Sequence, residues 1–324
     1  MELDRPFLRL PYQFDAARLG EETQALSEAA WLPHPSGLEG NSAVPLVSIN
    51  GELKDGFDGQ MAPTSYLLDA PYLLQVVASF NEVVARSRLM RLAPGAVVQE
   101  HVDFNYHWYS RVRIHVPIIT EPSVRFFCGA EEIHMAAGEA WLFDSWRRHR
   151  VINGSADERI HLVIDIAGSA SFWQMVRQAQ RTEAPPVTPQ TKAFEPDLRP
   201  ELITERFPFA PIMAPGEMSA IVAELLSDCR ANPANDPDML NYYHDVLFDL
   251  VHDWRRQWSL YGLTPEGIAG YQGLLQRTRS ALKENPRVLV TQSNSVGINP
   301  IILQRILGAA LQPKRAAEFA TGRS

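Results

Sequence analysis

Between residues 86 and 168 the chain is built from short apolar runs that alternate with polar positions and are divided by turn residues. The runs are Arg86–Leu92, Val97–Phe104, Arg111–Ile119, Val124–Cys128, Glu132–Met135, Ala140–Phe143, Arg148–Ile152 and Arg159–Ala167, separated by Pro94-Gly95, Glu121-Pro122, Gly129, Gly138 and Asn153-Gly154. Eight short strands at a spacing of about ten residues predict a sandwich or barrel and not a parallel βαβ sheet. Two runs split cleanly by face. Arg111, Arg113 and His115 oppose Val112, Ile114, Val116 and Ile118; Arg159 and His161 oppose Ile160, Leu162, Ile164 and Ile166. A solvated face would carry more Lys, Glu and Thr, so we expect the apolar face to lie under flanking helices and the polar face to line an interior.

Helical spacing supplies those helices. Asp15–Ala30 and Tyr66–Val84 read as helices before the strands, with Leu32–Ala43 a loop rich in Pro, Gly and Asn, and the rest of 1–85 short and irregular. Residues 183–215 hold eight of the 24 prolines and predict a linker or wrapping segment. Met218–Asn232, Asp236–Tyr261 and Pro265–Glu284 read as helices, the third with Thr264 as cap, Pro265 at its first position and Glu266 as a first-turn acid. The expected organisation is a β domain over 1–182, a Pro-rich linker over 183–215 and a helical domain over 216–324, whose end from Pro313 is expected to fray. The fold class is a mainly β core with flanking helices and a C-terminal helical region.

Charge and composition narrow the function. The 324 residues hold 30 Lys and Arg against 38 Asp and Glu, a net charge of −8, which argues against a nucleic-acid partner. No apolar run is long enough to span a bilayer, and the opening Met-Glu-Leu-Asp-Arg-Pro has neither a basic nor an apolar signal region. The two cysteines, Cys128 and Cys229, have no metal or redox spacing, so a reducing cytoplasm is the expected location. Oligomeric state is left open. One feature is uneven: six of nine histidines fall between residues 101 and 161, where an even spread would place fewer than two.

His101-Val102-Asp103 places an imidazole and a carboxylate two residues apart, on one face of a strand. His149 follows in a run able to pair back to that strand. Two imidazoles and a carboxylate on one side of a metal leave three positions open, the arrangement suited to non-haem Fe(II) and O2. Arg159 lies ten residues beyond His149. If the co-substrate is 2-oxoglutarate, its distal carboxylate needs a buried cation, and the planar, permanently charged fork of arginine suits it.

The stretch RLAPGAVVQEHVDF…SRVRIHVPI…HMAAGEAWLFDSWRRHRVIN…RIHLVID resembles the aspartyl/asparaginyl β-hydroxylase family of Fe(II)/2-oxoglutarate dioxygenases. The resemblance implies a double-stranded β-helix (jelly-roll, cupin-like), with Fe(II), 2-oxoglutarate and O2 as cofactors. It implies His101 and His149 as iron ligands, Arg159 as the 2-oxoglutarate anchor, His115 beside that co-substrate, and Arg111 and Arg113 toward a substrate carboxylate. Asp103 stands where the animal enzymes of the family have glycine, and instead resembles bacterial members and the free-proline 3-hydroxylases. Met90 stands where a serine helps to hold 2-oxoglutarate in the animal enzymes. The presence of Asp103 argues against a halogenase, which vacates that position.

The expected activity is hydroxylation of a C–H bond in an amino-acid unit, first at the β-carbon of Asp or Asn in a peptide or protein. The alternatives are a free amino acid such as proline, and a cupin-like metal-binding module without turnover. Other positions have structural readings. His107 and Trp108 suit the substrate mouth or a loop packed on the barrel rim, His134 in its short run suits a structural place, Asn153 suits a bond to backbone in its turn, Trp146 suits a brace for His149, and His244 and His252 suit a helix surface. His161 shares the face of Arg159.

Overall fold

The computed structural model describes residues 3–35, 37–54, 56–57, 59–180, 189–207 and 209–312. Thirteen strands form along it. They are β1 (Phe7–Phe14), β2 (Leu32–Pro33), β3 (Asn41–Ile49), β4 (Met61–Pro63), β5 (Val84–Leu92), β6 (Val97–His101), β7 (Val112–Ile119), β8 (Val124–Cys128), β9 (Glu131–Ile133), β10 (Glu139–Phe143), β11 (His149–Asn153), β12 (Arg159–Ile166) and β13 (Gln190–Lys192). All eight runs expected to be strands are strands, β5 to β12. They divide between two sheets: β10-β7-β12-β5 lies within the larger and β6-β11-β8-β9 forms the smaller. That distribution of eight consecutive antiparallel strands is a double-stranded β-helix.

The larger sheet extends beyond this core, in the order β13-β1-β10-β7-β12-β5-β3-β2 with β4 on β3. Its strands β1 and β3 fall where the sequence suggests irregular chain. Each contains a proline beside a register shift: Pro11 between Arg9 and Gln13, and Pro45 just before Val47. A proline cannot donate to a ladder, so the strand bulges there and the alternation that would reveal it is broken.

Two expected helices are shorter than their periodicity suggests. Asp15 caps a helix over Ala16–Gln24, its carboxylate accepting from the Arg18 amide at 3.1 Å, and a separate 3-10 turn follows at Glu28–Ala30. The Tyr66–Val84 run breaks at Pro71, which starts the helix Pro71–Ala78 and forces Ala70 out of helical backbone. The Val84 end of that run belongs to β5 instead.

The chain forms two compact units, Met1–His101 with Ser110–Pro208, and Val102–Tyr109 with Phe209–Ser324. In the first, Ile114, Val116, Ile160, Leu162, Ile164 and Ile166 pack with Leu19, Leu73, Val77, Phe172 and Val176 of the helices on the sheet's outer face. Each such side chain contributes roughly 1.5–3 kcal/mol by burial. The opposite face, bearing Arg113, His115, Arg159 and His161, looks toward the smaller sheet: the His115 ring meets Phe126 of β8 at 5.6 Å. The helix-covered outside and polar inside expected from alternation are both present.

The described part of the Pro-rich stretch wraps on the first unit. Gln190–Lys192 pairs parallel with β1, and Val84 exchanges backbone hydrogen bonds with Ile203 and Glu205 at 2.8 and 2.9 Å. Residues 183–188 of that stretch, and the C-terminal residues from Pro313 expected to fray, lie outside the described residues.

The second unit is built on the helices Pro215–Ala231, Pro237–Tyr261 and Ile268–Ala281, around Tyr243, Trp254 and Tyr271. Thr264 and Pro265 do open the third expected helix, but its first turn is 3-10 and the Thr264 side chain makes no capping bond to the backbone. Residues 102–109 are fastened within this unit. Arg305 donates to the Phe104 carbonyl at 3.0 Å, and the Tyr106 hydroxyl bonds Glu217. No helix among the described residues is long and apolar enough to cross a membrane.

Candidate metal centre and anion pocket

Strands β6 and β11 are antiparallel neighbours, and their register sets His101 directly opposite His149. Forty-eight residues of sequence are closed by one ladder position, and the two rings stand 4.1 Å apart between centroids. Each Nδ1 sits beside a backbone carbonyl two residues back, His101 at 2.8 Å from Gln99 and His149 at 2.9 Å from Arg147. Only a protonated Nδ1 can make those bonds, so Nε2 is the nitrogen left to present a lone pair to a metal. Oriented this way by outer-shell carbonyls, the two imidazoles are prepared as metal ligands.

Asp103 does not share a strand face with His101, because β6 ends at His101 and Asp103 lies in the irregular chain after it. The local chain still brings it in: ligand atoms of His101, Asp103 and His149 lie within 4.8 Å of one another. Two imidazole nitrogens and one carboxylate on one side of a point fit a divalent iron with open positions.

The second cluster lies on β12 and β7. Arg159 is buried, 5% exposed, and no carboxylate pairs with it among the described residues. Burial alone pushes its guanidinium down to about 9, still charged at neutral pH. Its Nη2 donates to His161 Nδ1 at 2.7 Å, and His115 Nδ1 stands 3.4 Å from that same nitrogen. Burial first, and the charge of Arg159 second, hold both imidazoles well below the usual histidine range, hence neutral. Arg159 Nε, His115 Nε2 and His161 Nε2 are buried polar atoms with no hydrogen-bond partner. Three orphaned polar atoms around an uncompensated cation are costly unless an anion completes them, which fits the distal carboxylate of a 2-oxo diacid.

Arg111 and Arg113, expected to face a substrate, both sit on protein carboxylates. Arg111 Nη2 donates to Glu205 at 2.5 Å. Arg113 grips Asp165 with two bonds of 2.7 and 3.1 Å, and Arg86 adds a third at 3.3 Å. The register explains this cluster, since Asp165 on β12 lies opposite Arg86 on β5 and Arg113 on β7. Arg88, two residues along β5, is buried as well, and Phe57 stacks on Arg86 at 4.1 Å.

Sequence reasoning passed over Arg86, Arg88 and Asp165, although period two was available: Arg86 and Arg88 share a face of their run, and Asp165 lies six residues beyond Arg159. The remaining histidines have local work. His134 Nδ1 bonds the Val124 carbonyl, and His107 and Trp108 are buried in the short helix Tyr106–Tyr109. Asn153 is fully buried, and its side-chain amide NH2 donates its two hydrogens among the Leu92, Ala93 and Asp157 carbonyls. Trp146 is buried three residues before β11, and its backbone amide is held by Asp144.

Residues 58–168 match the family model described as aspartyl/asparaginyl beta-hydroxylase, spanning β5 to β12 and every residue named in the two clusters except Glu205 and Phe57. The family resemblance read from residues 86–167 is thereby met. The chain is 28% identical over 190 residues to L-proline cis-3-hydroxylase 2 of a Streptomyces species, which covers 53% of this chain and 60% of that protein. Similar solved structures include a 2OG-Fe(II) oxygenase family oxidoreductase from Burkholderia pseudomallei. It has a TM-score of 0.37 at 13% identity, covering 50% of this chain and 84% of that one. A Pseudomonas putida prolyl-4-hydroxylase gives a TM-score of 0.34 at 15% identity, covering 51% and 95%.

Proposed function

We propose that this protein is an Fe(II)- and 2-oxoglutarate-dependent hydroxylase that oxidises a C–H bond of an amino-acid unit. The observation that carries the reading is Arg159: a buried cation without a countercharge, on the same β-helix as His101 and His149, whose ligand atoms meet that of Asp103. His101, Asp103 and His149 would hold the iron and leave positions for co-substrate and oxygen. Arg159 would anchor the distal carboxylate of 2-oxoglutarate, with His115 lining the same pocket. Bound iron supplies the oxidising chemistry, coupling loss of CO2 from 2-oxoglutarate to hydroxylation. The chain's own part is to bind, orient and exclude water. The aromatic wall of Phe126 and Phe143 around His115 serves the last of these.

Two substrate readings follow. Hydroxylation at the β-carbon of Asp or Asn in a peptide is supported by the family match. Hydroxylation of a free amino acid is supported by the likeness to a relative named as an L-proline hydroxylase.

Anaerobic titration with Fe(II) and 2-oxoglutarate tests the chemistry. The expected result is a weak visible charge-transfer band, lost in His101→Ala and weakened in Arg159→Ala. Iron binding without that band, and without succinate formation, would move the protein to a metal-binding module. Mass analysis of free amino acids against Asp- and Asn-containing peptides, scored for one added oxygen atom, separates the two substrates.

A further inference from the structure

We propose that His161 is a positioning residue that holds the Arg159 guanidinium in place while leaving its charge uncancelled, and so sets the preference of the pocket for a 2-oxo acid bearing a second carboxylate. The identity of that anion rests on the hydroxylase reading above.

Most buried arginines are held by a carboxylate, as Arg113 is held by Asp165 and Arg111 by Glu205 in this same chain. Such a partner fixes the fork but neutralises it, and an incoming anion must compete for its donors. Arg159 is held differently. Its 2.7 Å bond runs to the lone pair of an imidazole nitrogen, which carries no formal charge. Burial and the neighbouring Arg159, His115 and His134 all act against protonation of His161, so the acceptor stays an acceptor.

The tautomer follows from the same bond. With the Nδ1 lone pair engaged by Arg159, the proton of the neutral ring is on Nε2. That Nε2–H is buried and without a partner, as is Arg159 Nε. One contact therefore does two things: it orients the cation, and it fixes His161 Nε2–H as a buried donor whose hydrogen bond is still to be made. Register explains why this residue serves. His161 is two positions along β12 from Arg159 and on the same face.

The test uses three side chains at one position in the full chain, loaded with Fe(II) under anaerobic conditions. Calorimetry measures the affinity for 2-oxoglutarate and for 2-oxobutyrate, which lacks the second carboxylate. In His161→Asn the amide oxygen replaces Nδ1 as a neutral acceptor, and the preference for 2-oxoglutarate is expected within about threefold of the original. In His161→Asp, of the same size, a carboxylate meets Arg159. The preference is expected to fall at least about tenfold, with the affinity for 2-oxobutyrate and the melting temperature little changed. A merely structural role would weaken both acids together. If His161→Asp fails to fold, His161→Leu takes its place, with an expected loss of about tenfold in preference. Equal preference in the Asn variant and the Asp or Leu variant overturns the proposal alone. A wild-type protein that binds neither acid overturns the hydroxylase reading and this proposal with it.

Discussion

Arg159→Met is expected to make the ligand-free protein more stable while removing its response to 2-oxoglutarate. The guanidinium is held at about 9 instead of 12.5, so the fold disfavours its charged form by roughly 3.5 × 1.36, on the order of 5 kcal/mol. Methionine fills similar length without a charge. It leaves His161 Nδ1 without its donor, which costs about 1–3 kcal/mol for a buried acceptor. The net expectation is a gain of about 2–4 kcal/mol, or several degrees in melting temperature for a domain of this size. Ligand acts in the opposite sense. At a hundred times its dissociation constant, 2-oxoglutarate with iron should stabilise the wild type by about 2.7 kcal/mol, and should leave Arg159→Met unmoved. Urea unfolding of both proteins, with and without the co-substrate under anaerobic conditions, gives all four values. A ligand-free Arg159→Met less stable than wild type would mean that the arginine is already compensated by the fold, contrary to this expectation. A stability gain of this kind, at the expense of function, is the signature of a group retained for binding.

Two further outcomes concern the frame around the site. His161, kept neutral by burial, has a folded pKa well below 6.5, so above that pH both states are neutral and it contributes no pH dependence. Below 6.5 the unfolded chain takes up a proton that the folded chain refuses. Stability is therefore lost as pH falls, by about 1 kcal/mol between pH 6.5 and 5.5. The difference in unfolding free energy between wild type and His161→Asn at those two pH values measures it, and a difference independent of pH would contradict the buried neutral ring. Gly138 turns at φ +78°, and a Cβ there would stand 2.3 Å from the Phe14 carbonyl oxygen. Gly138→Ala is expected to cost about 2–4 kcal/mol by thermal melting; wild-type stability would show that β1 can move away freely.

The eight core strands were legible because a sheet buried on one face by helices and on the other by its own interior imposes period two on every strand. That constraint puts Arg113, His115, Arg159 and His161 on the inward face from alternation alone. Strands β1 and β3 were hidden for a local reason, since a proline bulge breaks the alternation while flanking ladders still hold the strand. The Tyr66–Val84 run looked like a single helix because its apolar spacing crosses Pro71 without interruption; only the backbone restriction before that proline divides it.

The candidate metal ligands follow from residue type and spacing, but their meeting is a property of the register between β6 and β11, and Asp103 reaches the histidines from outside the strand. The fates of the arginines were decided still further from sequence. Arg111, Arg113 and Arg159 look alike in a string of letters, and alternation assigns all three to one side. Tertiary structure gives Glu205 to the first and Asp165 to the second, and to the third a neutral imidazole. Sequence by itself determined which chemistry is present, because side-chain type and period are local. Which charge is cancelled and which is left for a ligand depends on pairings between strands distant in the chain, and these only the folded sheet decides.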